Sequence, residues 1–201
     1  MKIQKQELKN SITEYLKKIN MCFDESLLNS VEIMANKILE AWKAKKRIYI
    51  CGNGGSSANA QHIANDYIYG IGASAEGNDT PGIDIQALTS NSNIITCLAN
   101  DTGYENIFST QLEVKGKEED LLIVLSGSGN SQNIINALKK AKKKKIKSIA
   151  ILGFNGGKCK ELADITLHIH SDDMEVCEDV QMIIFNICKK LLNSKKSFLY
   201  N

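Results

Sequence analysis

The stretch Arg47-Ile48-Tyr49-Ile50-Cys51-Gly52-Asn53-Gly54-Gly55-Ser56-Ser57 indicates the fold most directly. Its first half is a short apolar run, which is typical of a strand buried on both faces of a parallel sheet. Its second half is rich in glycine and leads into a segment with helical character at 57–69. A strand, a tight turn and a helix in this order form the repeating unit of α/β folds.

Four more apolar runs follow, at 84–88, 121–125, 148–152 and 165–169. They alternate with stretches predicted as helices at 57–69, 91–99, 131–143 and 158–163. Two amphipathic helices precede the first strand, at 5–19 and from 24 to 42, and a long final helix is predicted from 174 to 192. This alternation predicts a parallel sheet with helices on both faces.

The length and composition predict an ordinary globular protein. The 201 residues suit a single domain, 1–201, made of N-terminal helices at 1–45 and a sheet with flanking helices at 46–195. A formal charge of +2 implies no polyanionic partner, and the lysine-rich run at 139–145 sits at a predicted helix end, so nucleic acid is not favoured. The polar N-terminus and the lack of a membrane-length apolar stretch predict a cytoplasmic protein without a membrane partner. Six scattered cysteines are interpreted as reduced and structural.

A second glycine- and serine-rich loop, S-G-S-G-N-S at 126–131, also stands between a predicted strand and a predicted helix. Both loops would expose backbone N–H groups at a helix N-terminus, where the helix dipole favours negative charge. Neither is a Walker loop, because no Lys-Ser/Thr pair follows the glycines. The plainer interpretation is a pair of strand-to-helix turns. Two such loops together favour a phosphate site.

The chain resembles a known family at these and other motifs. C-G-N-G-G-S at 51–56, A-x-A-Q-H at 58–62, A-N-D-x-G at 99–103 and S-G-S-G-N-S at 126–131 resemble those of phosphoheptose isomerases of the sugar-isomerase (SIS) superfamily. The resemblance implies an SIS-type doubly wound, five-stranded parallel sheet and a homotetramer with sites at subunit interfaces. It implies conversion of sedoheptulose 7-phosphate to D-glycero-D-manno-heptose 7-phosphate, for lipopolysaccharide or capsule biosynthesis.

The same resemblance assigns the substrate contacts. The phosphate would be ringed by Ser126, Gly127, Ser128 and Ser131, and the sugar would be lined by Asn53, Gly54, Gly55 and Ser56. The sugar hydroxyls would be reached or oriented by Asp66, Asn100, Asp101, Glu175, Glu178 and Asn186. Gly127 stands where the family usually has threonine.

The catalytic positions depart from the family pattern. His62 and Asp66 share one helix face, with aspartate in place of the family's glutamate. Glu178 replaces a metal-binding glutamine, Asn186 replaces a histidine that acts as acid–base group, and Gly70 falls where an arginine is expected. By resemblance, Asp66, His62 and Asn186 are the catalytic candidates. His62, Asp66, Glu178 and Asn186 are the candidate ligands of Zn²⁺ or another divalent metal, although asparagine neither exchanges a proton at neutral pH nor binds zinc well.

Two alternatives to this isomerase remain open. The first is a non-catalytic SIS protein that binds a phosphosugar, or one that associates with a replication initiator, a branch that also carries asparagine at position 186. The second is an isomerase of another phosphosugar, because Gly70 and Gly127 both lack side chains that would contact a heptose. His168 and His170 could form a metal pair, but lie outside the family motifs and are better explained as a satisfied or solvated pair.

Overall fold

The structure, a computed structural model, describes residues 2–71 and 81–196. The described chain contains eight α-helices, a short 3₁₀ helix at Tyr104–Asn106 and five strands. The helices are α1 Lys5–Met21, α2 Glu25–Lys43, α3 Gly55–Tyr69, α4 Ser92–Thr102, α5 Ser109–Lys115, α6 Gln132–Lys143, α7 Cys159–Leu162 and α8 Met174–Ser194. The strands are β1 Ile48–Gly52, β2 Ile85–Ala87, β3 Leu121–Ser126, β4 Lys147–Leu152 and β5 Ile165–His168.

The five strands form one parallel sheet in the order β2-β1-β3-β4-β5, as predicted. The chain order reverses beside β1, because β2 lies on one side of β1 and β3 lies on the other. In open parallel sheets such a reversal creates a crevice beyond the carboxyl ends of the strands, and ligands bind there. Both glycine-rich loops leave the sheet at this point, one after β1 and the other after β3.

The apolar side chains form two clusters, which correspond to the two faces of the sheet. Ile48 and Ile50 of β1 belong to the larger cluster, together with residues of α2, α3 and α8. Tyr49 and Cys51 belong to the other cluster, with residues of α5 and α6. All five residues of β1 are buried, which explains the continuous apolar run in the sequence.

The predicted elements agree with the structure except at a few places. Each of the five predicted strands and each predicted helix is present, with ends that shift by a few residues. Helix α5 was not predicted, because its seven residues are too few to show a clear helical period. The polar, glycine-bearing stretch at 69–80 predicts a surface loop, and most of it lies outside the described residues.

The cysteines are free thiols, as predicted, and five of the six are buried; only Cys97 is exposed. Burial raises the pKa of Cys159 and Cys177 to about 11 and that of Cys188 to about 12. Thiols with such pKa values stay protonated and unreactive at neutral pH. The described helices include none with the length and apolar character needed to cross a bilayer.

The lysine-rich run closes α6, and local acidic groups meet several of its side chains. Lys140 contacts the carboxylate of Glu113, and Lys145 lies 3.0 Å from the carboxylate of Glu118. Lys144 donates to the Glu113 carbonyl at 2.6 Å. This pairing agrees with the interpretation of the run as a solvated helix end.

Candidate active site at the sheet switch point

The loop after β3 offers an open anion site. Ser126 ends the strand, and its hydroxyl accepts a hydrogen bond from the Gly129 N–H at 3.1 Å. Gly129 has a φ of +64°, and a Cβ there would lie 2.0 Å from the carbonyl oxygen of Gly156, so only glycine fits. Ser131 is the N-cap residue of α6, yet its side chain makes no capping hydrogen bond. Its hydroxyl therefore remains available to a ligand beside the first N–H groups of the helix.

The loop after β1 holds an internal anion instead. Gly54 has a φ of +56°, and Gly55 begins α3. The carboxylate of Glu178 lies against Gly55 so closely that a Cβ at this position would be 2.1 Å from its Oε2. Its Oε1 lies 3.4 Å from the Ser56 hydroxyl. A carboxylate at a helix N-terminus is favoured by the dipole. Of the two loops predicted to bind an anion, the one after β3 is therefore the better site for a phosphate.

A small cleft of about 110 Å³ joins the two loops. It is lined by Asn53, Ser56, Leu125, Ser126, Gly127, Ser128, Ser131, Met174 and Glu178. Seven of the predicted substrate-binding residues thus line one cavity, and Gly54 and Gly55 adjoin it in the loop after β1.

Met174 is a lining residue that the sequence reasoning missed. A Cβ on Gly127 would lie 2.3 Å from the Met174 sulfur and 3.9 Å from the ring of Phe154. Met174 therefore occupies the space into which a side chain at 127 would project. The signal available in the sequence was the glycine at a position where the family usually has threonine.

Two asparagines connect the loops: Asn53, which was predicted as a sugar contact, and Asn133, which the sequence reasoning missed. The side-chain amides of Asn53 and Asn133 exchange two hydrogen bonds, both of 2.9 Å, and Asn133 is only 1% exposed. The Tyr104 hydroxyl donates to Asn53 Oδ1 at 3.0 Å. This pairing fixes the loop after β1 against the first turn of α6, so the two halves of the cleft hold one relative position.

Asn100, Asp101 and Glu175 are among the predicted sugar contacts that do not line the cleft of their own chain. Asn100 and Asp101 are exposed at the end of α4, where the Asn100 amide donates to the Asp101 carboxylate at 2.7 Å. A hydrogen bond to Asp101 raises the pKa of Cys97, which lies one turn earlier. Glu175 is exposed in the first turn of α8.

Helices α3 and α8 run side by side in the same direction. Near the cleft, the Asn59 amide donates to the Glu178 carbonyl at 2.9 Å and to the fully buried Gln181 side chain at 3.1 Å. Further along, the Tyr67 hydroxyl donates to the Phe185 carbonyl at 3.0 Å. At the far end, the Asn193 amide donates to the Gly70 carbonyl at 2.8 Å, and Lys189 contacts Asp66.

The four candidate metal ligands do not converge within one chain. His62 Nε2 lies 3.7 Å from Asp66 Oδ2, so these two are neighbours. Asp66 is ten residues beyond Ser56, which lies beside Glu178, so roughly 15 Å of helix separates the two carboxylates. Glu178 and Asn186 are eight residues apart, or about 12 Å on α8. Among residues 2–71 and 81–196 no group of three or more His, Cys, Asp or Glu side chains could hold a metal.

The histidine pair near β5 has protein partners. His168 Nε2 lies 2.9 Å from the Phe154 carbonyl oxygen, and His170 Nδ1 lies 3.1 Å from the Asp24 carboxylate. Burial lowers the pKa of His168. The pair is satisfied by these contacts, as the sequence interpretation favoured.

Comparison with known proteins identifies similar chains along nearly the whole length. Two models described as SIS domain match residues 10–153 and 114–193. A phosphoheptose isomerase from Sulfurimonas denitrificans is 38% identical over 164 residues, which is 82% of each chain. One from Aneurinibacillus thermoaerophilus is 39% identical over 82% of this chain and 80% of its own. The solved phosphoheptose isomerase from Neisseria gonorrhoeae superposes with a TM-score of 0.84 at 26% identity, covering 94% of this chain and 98% of the other.

Proposed function

The chain belongs to the SIS-domain family and, within it, to the phosphoheptose isomerases, and we propose that it converts sedoheptulose 7-phosphate to D-glycero-D-manno-heptose 7-phosphate. It is a phosphosugar isomerase of heptose biosynthesis. We propose lipopolysaccharide or capsule as the destination of the heptose.

The open loop after β3 is the observation that carries this proposal. Its serine hydroxyls and the uncapped N-terminus of α6 suit a dianionic phosphate, because both provide donors and the dipole favours negative charge. The neighbouring cleft residues Asn53 and Ser56 provide further polar groups toward the sugar. Isomerisation then needs a base that moves a proton between adjacent carbons and a group that polarises the carbonyl oxygen.

We propose Asp66, assisted by His62, as the group that moves the proton. Because these residues lie roughly 15 Å from the cleft of their own chain, we propose that they act on the cleft of a neighbouring subunit. The exposed apolar side chains of α1 support an assembly. Helix α1 has no buried residue and exposes Leu8, Ile12 and Leu16. A homotetramer with sites at its subunit interfaces would complete the site, because it would bring His62 and Asp66 of one subunit to the cleft of another. Light scattering would test this assembly.

A second candidate is a phosphosugar-binding protein without catalysis. It is favoured by the exposed amide of Asn186, which can neither donate nor accept a proton as a histidine does. It would retain the phosphate loop and bind the sugar phosphate unchanged.

The deciding experiment follows sedoheptulose 7-phosphate by proton NMR in the presence of the purified protein. We expect turnover, and we expect Ser131→Ala to raise KM because it removes a phosphate donor. The matched control is Ser92→Ala, which changes an exposed serine on α4, outside the cleft. Calorimetric binding of the sugar phosphate without any turnover would overturn the isomerase and favour the binding protein.

A further inference from the structure

The carboxylate of Asp66 already has a cation as its partner. The ammonium of Lys189 contacts Asp66 Oδ2 directly, and His62 Nε2 lies 3.7 Å from the same oxygen. The side chains of Asp66 and Lys189 are 22% and 26% exposed, so about three quarters of each is buried. This is more burial than a surface ion pair has, and it reduces screening by water and salt.

The surrounding helices hold Lys189 in this place. The hydrogen bonds from Tyr67 to Phe185 and from Asn193 to Gly70 join α8 to α3 on either side of Lys189 along α8. Lys189 Cδ lies 3.5 Å from the point that a Cβ on Gly70 would occupy. The lysine side chain therefore passes beside Gly70, and a long side chain there would compete for this space.

The donor set that this chain itself places around Asp66 does not suit a divalent metal, and a Glu178 brought by a neighbouring subunit would meet a carboxylate whose charge Lys189 already balances. Asn186 lies three residues before Lys189, on the same face of α8, and offers only an amide. Glu178 lies at the opposite end of the helix pair, beside Gly55 and the Ser56 hydroxyl at the start of α3. Zinc in proteins takes three or four Cys, His or carboxylate ligands, and here only His62 and Asp66 are neighbours.

We propose that the ammonium of Lys189 takes the place of a divalent cation at Asp66, so that this chain does not depend on a metal there. The inference rests on the proposed function for the role of Asp66, but its electrostatic part concerns Lys189 and Asp66 alone. Lys189 acts as a positioning residue: it holds the Asp66 carboxylate in one orientation and balances its charge. An ammonium is a compact point charge, and it supplies this balance without further ligands.

The test compares the wild type with Lys189→Met, Lys189→Arg and the control Lys190→Met. Lys190 is the next residue on α8 and is exposed, so its replacement removes the same charge away from Asp66. Lys189→Gln replaces the methionine variant if circular dichroism shows that the latter is unfolded. Zinc binding is measured by calorimetry and by elemental analysis after desalting, and turnover of sedoheptulose 7-phosphate is measured with and without chelator.

We expect the wild type to bind far less than one zinc per chain and to keep its turnover in chelator. Lys189→Met should free Asp66 and His62 and bind zinc more tightly than the wild type, whereas Lys190→Met should not. The methionine variant should lose kcat by about 10- to 100-fold, as when other groups that orient a functional side chain are removed. Its KM should stay unchanged because the phosphate loop is distant, and Lys189→Arg should recover part of kcat because it keeps the charge.

One tightly bound zinc per wild-type chain together with loss of turnover in chelator would overturn the inference. Equal zinc affinity in wild type and Lys189→Met would overturn it as well, and so would an unchanged kcat in an active Lys189→Met. If no variant turns the substrate over but zinc binding still rises in Lys189→Met alone, the ammonium does hold the cation's place, and it is the proposed isomerase function that fails.

Discussion

A side chain introduced at Gly127 should collide with Met174. The Cβ of Gly127→Ala would lie 2.3 Å from the Met174 sulfur, whereas carbon atoms in contact normally stay about 3.5–4.0 Å apart. Gly127 has no positive φ, so the backbone itself accepts a side chain and the penalty is steric. Met174 is 38% exposed and can rotate toward solvent. The part of its side chain that is now buried would then become exposed. Because full burial of such a side chain contributes about 1.5–3 kcal/mol, this exposure should cost roughly 1–2 kcal/mol of stability.

The assay is a double-mutant cycle in urea at 25 °C. Gly127→Ala should lower the free energy of unfolding by roughly 1–2 kcal/mol in the wild-type background and by much less in Met174→Ala, which gives a coupling energy of about 1 kcal/mol. Gly129→Ala is the matched control. Its added Cβ would lie 2.0 Å from the backbone carbonyl of Gly156 at a φ of +64°, so Met174→Ala should not rescue it.

This reasoning would be refuted if the losses of unfolding free energy in the two single variants add up, within about 0.5 kcal/mol, to the loss in the double variant. Such additivity would mean that residues 127 and 174 do not share space. Equal rescue of Gly129→Ala by Met174→Ala would refute it too, since that rescue could not come from relief of the predicted collision.

Three further predictions concern the cleft and its surroundings. Glu178→Gln should tighten binding of inorganic phosphate about 2- to 5-fold at low salt, because it removes a like charge from the cleft; unchanged affinity by calorimetry would contradict this. Asn133→Ala should lower the free energy of unfolding by about 1–3 kcal/mol because Asn53 loses its partner, whereas Asn93→Ala on exposed α4 should not; equal urea midpoints would contradict this. Ellman's reagent at pH 8 should modify Cys97 alone in the native protein, and faster in Asp101→Asn, because that change removes the hydrogen bond that raises the pKa of Cys97; a slower reaction would contradict this.

The fold was predictable because its signals are local. Strands β1 and β3 are almost continuous apolar runs, since both faces of the sheet are covered, and the glycines after Cys51 and Leu125 mark the strand ends. Helix α5 was missed because its seven residues, Ser109–Lys115, are too few to show a helical period. The loop after β3 could be identified as a candidate phosphate site for the same reason as the strands: its donors are consecutive in the chain.

The rest of the site depends on contacts between distant segments. The pairing of Asn53 with Asn133 joins residues 80 positions apart, and Lys189 meets Asp66 across 123 positions. No spacing rule within a helix or a strand encodes such a pair. His62 and Asp66 were expected to lie close to Glu178, but within one chain they do not, for a related reason. The spacing of a motif shows which side chains share a helix face, but not which end of a neighbouring helix lies beside them.

The parallel pairing of α3 and α8 also has a mechanical consequence. Buried Gln181 is bonded to Asn59 at one end, and Asn193 is bonded to the backbone of Gly70 at the other, so sliding by one residue would break hydrogen bonds at both ends together. These bonds oppose sliding of α8 along α3. A shift of α8 beside the cleft, where Glu178 lies, would therefore also move Lys189, which meets Asp66 at the opposite end of the helix pair.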